Sequence, residues 1–398
     1  MSLNNTPSAD RIHISFFGRR NAGKSSVVNA VTGQQLAIVS DVLGTTTDPV
    51  LKAMELLPLG PVVIIDTPGI DDEGELGALR VKKSYQMLNK TDIAVLVADA
   101  TIGMTKEDEA LLERIRQKGI PCVIVYNKSD LAEVKAVSEN EICVSAKTGE
   151  NIYQLKELIA AQAKNSDNKK HIVSDMLEPG DIVVLVVPID SSAPKGRLIL
   201  PQQQTVRDII DHHSVCVVTQ PSELAMTLSS LAKKPRLVIT DSQAFAQVSR
   251  IVPEDITLTS FSILFANYKG NLRLAVSGVR ALSTLEDGDT VLMAEGCTHH
   301  RQCDDIGTVK IPRLIKSFTG RDISFVWNSG TEFAEDLKKY KLIIHCGGCM
   351  LNEREMKFRL KCAEDEGVPI TNYGTAIAYM NGVLKRSLEP FPDIQGLI

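Results

Sequence analysis

The stretch Ile12-His13-Ile14-Ser15-Phe16-Phe17-Gly18-Arg19-Arg20-Asn21-Ala22-Gly23-Lys24-Ser25 decides the fold. Its first six residues alternate as a strand, and after the loop Val27 to Val31 continue at helical spacing. A glycine-punctuated loop that runs from a strand into a helix is the context of a phosphate cradle. Gly18 and Gly23 let the backbone turn so that its N–H groups and the helix N-terminus face an anion. Lys24 is then placed to reach the β and γ phosphates of a nucleotide and the Ser25 hydroxyl to bind Mg²⁺, with Ser26 beside it in the same contact set.

Working outward, Val62-Val63-Ile64-Ile65 is a buried-strand run that ends in Asp66-Thr67-Pro68-Gly69. Asp66 is expected to hold Mg²⁺ through water, and Gly69 to lie against the nucleotide. Cys122 to Tyr126 leads into Asn127-Lys128-Ser129-Asp130, and Ile142 to Val144 into Ser145-Ala146-Lys147. Asp130 can accept both the ring N–H and the exocyclic amino group of guanine, whereas adenine presents its donor and acceptor in the wrong places. GTP is therefore the expected ligand, with Asn127, Lys128, Asp130, Ser145 and Ala146 around its base. Each tetrapeptide is weak alone; four of them at successive strand ends in this order are not.

On these residues, 8–165 resemble the small GTPase domain of the translation-factor-related class. Within that class they resemble the potassium-dependent group that includes the tRNA-modification GTPases, through Asn21 and Gly44-Thr45-Thr46-Thr47-Asp48-Pro49. The resemblance implies K⁺ at Asn21 and closure of Thr46 over Mg²⁺ in the GTP state. GTP hydrolysis is the expected catalysis, with Lys24, Thr46 and Asp66 as its residues. Ile70 stands where regulatory GTPases carry a water-orienting glutamine, so intrinsic hydrolysis is expected to be slow. The run Asp71-Asp72-Glu73-Gly74-Glu75 either supplies a carboxylate to the water or forms a solvated switch loop.

The chain has 398 residues, 43% of them hydrophobic and 23% charged. At roughly 100 to 200 residues per domain, this length suggests two to four domains, and three, each α/β, is the working number. The formal net charge is −5, and basic residues never run longer than two, so no stripe advertises a nucleic acid. Apolar runs such as Ile182 to Ile189 are far shorter than the roughly 18 residues of a membrane span, and the N-terminus lacks a signal-peptide core. A cytoplasmic location without a membrane partner is expected. In that compartment eight cysteines argue for metal, redox or core roles rather than disulfides. Cys122, Cys143 and Cys216 sit in strand-like runs and read as small buried hydrophobes, and Cys303 and Cys362 as structural. Trp327 reads as core.

The polar segment Lys164 to Lys170 breaks every apolar period and reads as a linker. Beyond it, Ile182–Val187, Val215–Val218, Leu237–Thr240 and Ile256–Thr259 read as short strands, with helical stretches at Thr205–Asp211 and Leu224–Lys233. Residues 171–265 are thus expected to be a small α/β domain without a catalytic constellation, and self-association is its expected role by analogy. His212 and His213, adjacent on a helix, diverge by about 100° and read as helix-end decoration rather than metal ligands.

In 271–398, Val291 to Ala294 delivers Glu295-Gly296-Cys297-Thr298-His299-His300 to one loop, and Lys341 to Ile344 delivers His345-Cys346-Gly347-Gly348-Cys349 to another. If both strands end at one sheet edge, Cys297 meets Cys346 and Cys349. Three thiolates with an imidazole suit Zn²⁺; three thiolates with a variable fourth ligand suit a 4Fe-4S cluster, and spacing does not choose between them. Cys-x-His, about 45 residues, then His-Cys-x-x-Cys, joined to this GTPase domain, resembles the HydF family, GTPases that mature FeFe-hydrogenase. That resemblance implies that Cys297, Cys346 and Cys349 hold a 4Fe-4S cluster, with Glu295, His299 or His345 as candidate fourth ligands or, for the histidines, as hydrogen-bond partners only. It also implies a protein that carries a diiron precursor between the other maturases and apo-hydrogenase, and the analogy drawn for the middle domain makes a homodimer the expected assembly. A tRNA-modification or ribosome-associated GTPase with a structural zinc site is the alternative from the first domain alone.

Overall fold

The computed structural model describes residues 8–34, 49–71, 74–132, 138–164, 171–189, 198–296, 305–330, 333–334 and 336–398. Thr46, Cys297, His299, Cys303 and most of the expected linker lie outside the described residues. The chain divides into two compact units, Met1–Asn168 and Lys169–Ile398.

The first unit is built on one six-stranded sheet. Its strands are β1 (Ile12–Phe17), β2 (Val50–Leu56), β3 (Gly60–Asp66), β4 (Ile93–Asp99), β5 (Cys122–Asn127) and β6 (Glu141–Val144). They lie in the order β2-β3-β1-β4-β5-β6, parallel throughout except for the antiparallel edge strand β2. Both faces of the central strands are buried, which is why β3, β4 and β5 read as near-continuous apolar runs, whereas the edge strand β2 is mostly exposed. Phe16, Ile64, Val95 and Val97 meet Val27, Val31 and Leu155 on one face, and Phe17, Ile65 and Leu96 meet Leu111 and Ile115 on the other. The nucleotide motifs mark β1, β3, β5 and β6, and the central strand β4 separates them into a phosphate side and a base side.

The second unit holds two four-stranded parallel sheets. In the first, β7 (Ile182–Val186), β8 (Val215–Thr219), β9 (Leu237–Thr240) and β10 (Thr257–Ser260) take the order β10-β9-β7-β8. In the second, β11 (Thr290–Glu295), β12 (Ser324–Ser329), β13 (Leu342–His345) and β14 (Ile370–Asn372) take the order β12-β11-β13-β14. One hydrophobic core serves both sheets: Val183, Leu185 and Ile239 share a cluster with Val291, Met293 and Ile344. Residues 171–265 and 271–398 are thus joined by a common interior, and the helices Phe261–Lys269 and Leu272–Val279 follow each other across Gly270 and Asn271.

Trp327, expected in the core, is 38% exposed, because β12 is an edge strand and the ring lies at its margin. Its indole Nε1–H donates to the Gly307 carbonyl at 3.2 Å. Cys122, Cys143, Cys216 and Cys362 are partly rather than fully buried, and burial still pushes the Cys122 and Cys216 thiols up to about 12 and about 11, so both stay protonated. His212 and His213 close the helix Leu200–Asp211, with His213 in the left-handed region at φ 58. Among the described residues no helix is long and apolar enough to cross a membrane.

Gly278 marks the tightest helix-on-sheet contact. A Cβ there would stand 2.1 Å from the Ile370 carbonyl oxygen of β14, and neither backbone can yield without disturbing the core between them. Gly278→Ala is expected to destabilise the second unit by about 3 kcal/mol, the upper end of overpacking costs. Calorimetry of the full chain checks this through the transition belonging to residues 169–398.

Candidate nucleotide and cysteine sites

The phosphate loop needs its glycines for room as well as for rotation. A Cβ on Gly18 would sit 2.1 Å from the Val97 carbonyl oxygen of β4, and one on Gly23, at φ 84, would press on the Asn127 amide. Asn21 is exposed in the left-handed region at φ 60. The Lys24 ammonium donates to the carbonyls of Gly18 at 2.9 Å and Arg19 at 2.7 Å, bracing the loop it is expected to serve.

Behind the loop, the Ser25 hydroxyl donates to Asp66 Oδ2 at 2.8 Å. Asp66 Oδ1 is buried and accepts no hydrogen bond from the described residues. Burial pushes the Asp66 pKa up, against the Ser25 bond and the Lys24 charge. An orphaned carboxylate oxygen beside a serine hydroxyl fits a hydrated Mg²⁺, whose water would fill the missing bond.

Asn127 ties the two sides of the site together. Its Nδ2 donates to the Ala22 carbonyl and its Oδ1 accepts from the Ala146 amide, each at 3.0 Å. Ser145 Oγ donates to Asp130 Oδ1 at 2.7 Å, holding that carboxylate at the mouth of a cavity of about 400 Å³ lined by Gly23, Ser26, Asn127, Lys128, Asp130 and Ala146. Lys128, left-handed at φ 70, donates to Asp99 Oδ2 at 2.5 Å. Burial pulls the Asp99 carboxyl up, but hydrogen bonds from Lys128 and Thr101 hold it below the ordinary range. Asp99 was missed in the sequence, where its only signal is an acid closing the apolar run of β4.

Of the acidic run after Gly69, Asp71 has a definite place: its Oδ1 accepts from the Arg20 backbone amide at 2.7 Å. The side chains of 72–76 lie outside the described residues. Ile70 is buried in the apolar cluster with Phe17 and Leu96. Gly69 packs so closely that a Cβ would lie 2.6 Å from Arg20 Cγ.

In the second unit, β11 and β13 are neighbours, with Ala294 paired to His345. Their ends meet: the Gly296 amide donates to Cys346 Sγ at 3.1 Å, and the Gly348 amide, at φ 62, donates to the same sulfur at 3.4 Å. Amide donors favour a thiolate. Burial pushes the Cys349 thiol up, and the charge of the buried Lys269 opposes it. Cys297, whose peptide neighbour is Gly296, lies outside the described residues, as does His299. Among the described residues no three His, Cys, Asp or Glu side chains gather as a metal group.

His345 does not match its expectation as an exchangeable ligand. Its ring is fully buried, Nδ1–H donates to the Cys346 carbonyl at 2.7 Å and Nε2 accepts from Arg359 Nη1 at 3.2 Å, which leaves no nitrogen for a metal. Burial and the Arg359 charge push its pKa down to about 3, so the ring is neutral. Glu295 is 2% exposed at the end of β11 and accepts from the Tyr373 hydroxyl at 3.2 Å. A Cβ on Gly307 would collide with both Glu295 and Tyr373, so this glycine lets the chain run against the pair.

Residues 172–270 match the hydrogen maturase F dimerization domain, and residues 273–390 match the hydrogen maturase F tetramerization domain. The chain belongs to the hydrogen maturase F family. Residues 13–128 of this family member match the 50S ribosome-binding GTPase domain, so the first unit is a GTPase domain. The tRNA modification GTPase MnmE of Heliobacterium modesticaldum is 38% identical over 161 residues, covering 38% of this chain and 34% of its own. GTPase Der of Prochlorococcus marinus is 39% identical over 139 residues, covering 33% of this chain and 29% of its own. The chain thus spans about a third of the length of these curated relatives. The Era structure of Aquifex aeolicus bound to GDP and AlF4⁻ aligns at 19% identity and a TM-score of 0.35, over 60% of this chain and 97% of that one.

The raised pKa of Asp66 has a testable sign. Its folded form disfavours the carboxylate, so the nucleotide-free protein loses stability as pH rises from the ordinary value of 3.8 through the folded one. Asp66→Asn is therefore expected to melt higher than wild type at pH 7 without Mg²⁺ or nucleotide, with the gap shrinking toward pH 4. Thermal melts at the two pH values check it.

Proposed function

We propose that this chain is a GTP-hydrolysing carrier of FeFe-hydrogenase maturation. It would hold a 4Fe-4S cluster on Cys297, Cys346 and Cys349 and deliver the diiron precursor, as cargo, to the hydrogenase apoprotein after receiving it from the other maturases. The observation that carries this reading is the Gly296 amide on the Cys346 sulfur at 3.1 Å, which puts the chain entering Cys297 beside the Cys-Gly-Gly-Cys loop. The two thiols of the Cys346 loop, amides aimed at sulfur and Cys297 as the next residue in sequence after Gly296 support a cluster whose fourth site is open or lightly filled. Glu295 and His299 remain the candidate fourth ligands. The cluster would supply that open iron position, at which a bridging ligand can be accepted and released.

In the GTPase unit, Lys24 would leave the loop carbonyls for the β and γ phosphates. Ser25 and, through water, Asp66 would hold Mg²⁺, Thr46 would close over it, and Asn21 would help bind K⁺. GTP turnover would rearrange the switch segments and so alter partner binding. The match to dimerization and tetramerization domains supports self-association, and the edge strand β8 offers Val215 and Val218, each about half exposed, to a second copy in a homodimer. A tRNA-modification role leaves the matches at 172–270 and 273–390 without a purpose.

Anaerobic reconstitution with iron and sulfide, followed by EPR of the reduced protein, tests the carrier reading. A 4Fe-4S signal is expected in wild type and in Lys24→Ala, which loses hydrolysis, and not in Cys346→Ser. Bound zinc with no cluster in wild type would sink it. On the base side, Asp130→Asn removes the paired acceptor that guanine needs. It is expected to weaken GTP binding at least ~10-fold, the scale of a lost buried hydrogen-bond partner, and to favour XTP, measured by nucleotide competition.

A further inference from the structure

Arg359 is among the largest fully buried side chains of the molecule, at 1% exposure, in the helix Glu353–Asp365. Its guanidinium makes three directed hydrogen bonds: Nη1 to His345 Nε2 at 3.2 Å, and Nη2 to the Gly330 carbonyl at 2.6 Å and to Glu355 Oε1 at 2.8 Å. The Phe333 ring lies 5.4 Å from its centre. A buried ion pair is weak evidence for stability, since an apolar pair of similar volume fills the space without desolvating two charges. What an apolar pair lacks is direction, and here the directed bonds run toward the cysteine loops.

Two short chains of contacts start at this one fork. Along the first, a guanidinium has only donors, so a bond to Nε2 makes that nitrogen an acceptor and places the ring proton on Nδ1. That Nδ1–H holds the Cys346 carbonyl at 2.7 Å. With its carbonyl fixed, Cys346 keeps its sulfur toward the Gly296 and Gly348 amides. Along the second, Gly330, whose carbonyl Arg359 holds, donates its own amide to the Glu295 carbonyl at 3.1 Å, at the end of the strand that leads into Cys297.

We propose that Arg359 is the positioning residue of the cysteine site, fixing the Cys346 loop through His345 and the end of β11 through Gly330. The proposal rests on the reading of Cys346 as a cluster ligand. It assigns His345 the task of transmitting Arg359's hold rather than of binding iron. Lysine cannot substitute, because a single ammonium on a flexible stem does not reproduce the planar fork that reaches His345 and Gly330 together.

The test uses the full chain. Arg359→Met combined with Glu355→Gln removes both buried charges, so no carboxylate is left orphaned. Cluster affinity is read by competition with an iron chelator, the g-values by EPR of the reduced cluster, and folding by the melt of the metal-free protein. Affinity is expected to fall about tenfold, the lower end of what losing a partner of a metal-ligand residue costs, with displaced or broadened g-values. Arg359→Lys is expected to bind as weakly. Adding His345→Gln to the Met/Gln pair is expected to cost no further affinity, because His345 acts only by transmitting the hold that the pair has already removed. Wild-type affinity and spectrum in the Met/Gln variant would overturn the proposal. So would wild-type affinity in Arg359→Lys, or a His345→Gln loss that multiplies with the other. A wild-type chain that retains no cluster would instead remove the carrier reading itself.

Discussion

A strand in a parallel sheet can be followed by its neighbour only after the chain has crossed back over one face, so every strand in such a sheet ends at the same edge. This constraint organises both sites. In the first unit it gathers the residues after β1, β3, β5 and β6 around one nucleotide-sized space, and in the second it sets the residues after β11 and β13 side by side. Segments some 50 residues apart in sequence, such as Gly296 and Cys346, become hydrogen-bonded neighbours with no local reason to meet.

Loops at such an edge are not held by the sheet ladder, and in each site a buried polar side chain bridges two of them. In the GTPase unit it is Asn127, neutral, bridging the carbonyl of Ala22 and the amide of Ala146. In the second unit it is Arg359, charged, bridging His345 and the carbonyl of Gly330. The difference in charge follows from what is held. Asn127 meets one donor and one acceptor, which a carboxamide matches; Arg359 meets only acceptors, and its charge is balanced by Glu355 one helical turn away.

Much of the nucleotide side was legible in the sequence, because strand, loop and helix each left a local mark there. β1 and β9 begin and end where their apolar runs do, and the motifs start directly after β1 and β6 and on the last residues of β3 and β5, Asp66 and Asn127. Asp99 and the Asp71 contact to Arg20 were not legible, since a single acid at a strand end or in a loop carries no spacing. Trp327 was misread because strand propensity does not distinguish an edge from a centre. At the cysteine site the adjacency of the two strand ends followed from topology, but the role of His345 did not. Its tautomer depends on Arg359, which sits in a helix whose sequence, Glu353 to Asp365, looks like a solvated charged face. A buried arginine at helical spacing is invisible until the neighbouring strand is placed over it.

The edge position of Trp327 carries one more consequence. It is the chain's single tryptophan, and its indole N–H is bonded to Gly307, the residue packed against Glu295 and Tyr373. Half in solvent and half against that turn, the ring has an emission that depends on how the end of β11 is packed. The protein therefore contains its own optical gauge, excited apart from the tyrosines, for events beside Glu295, with no label to introduce and no second indole to confuse the signal.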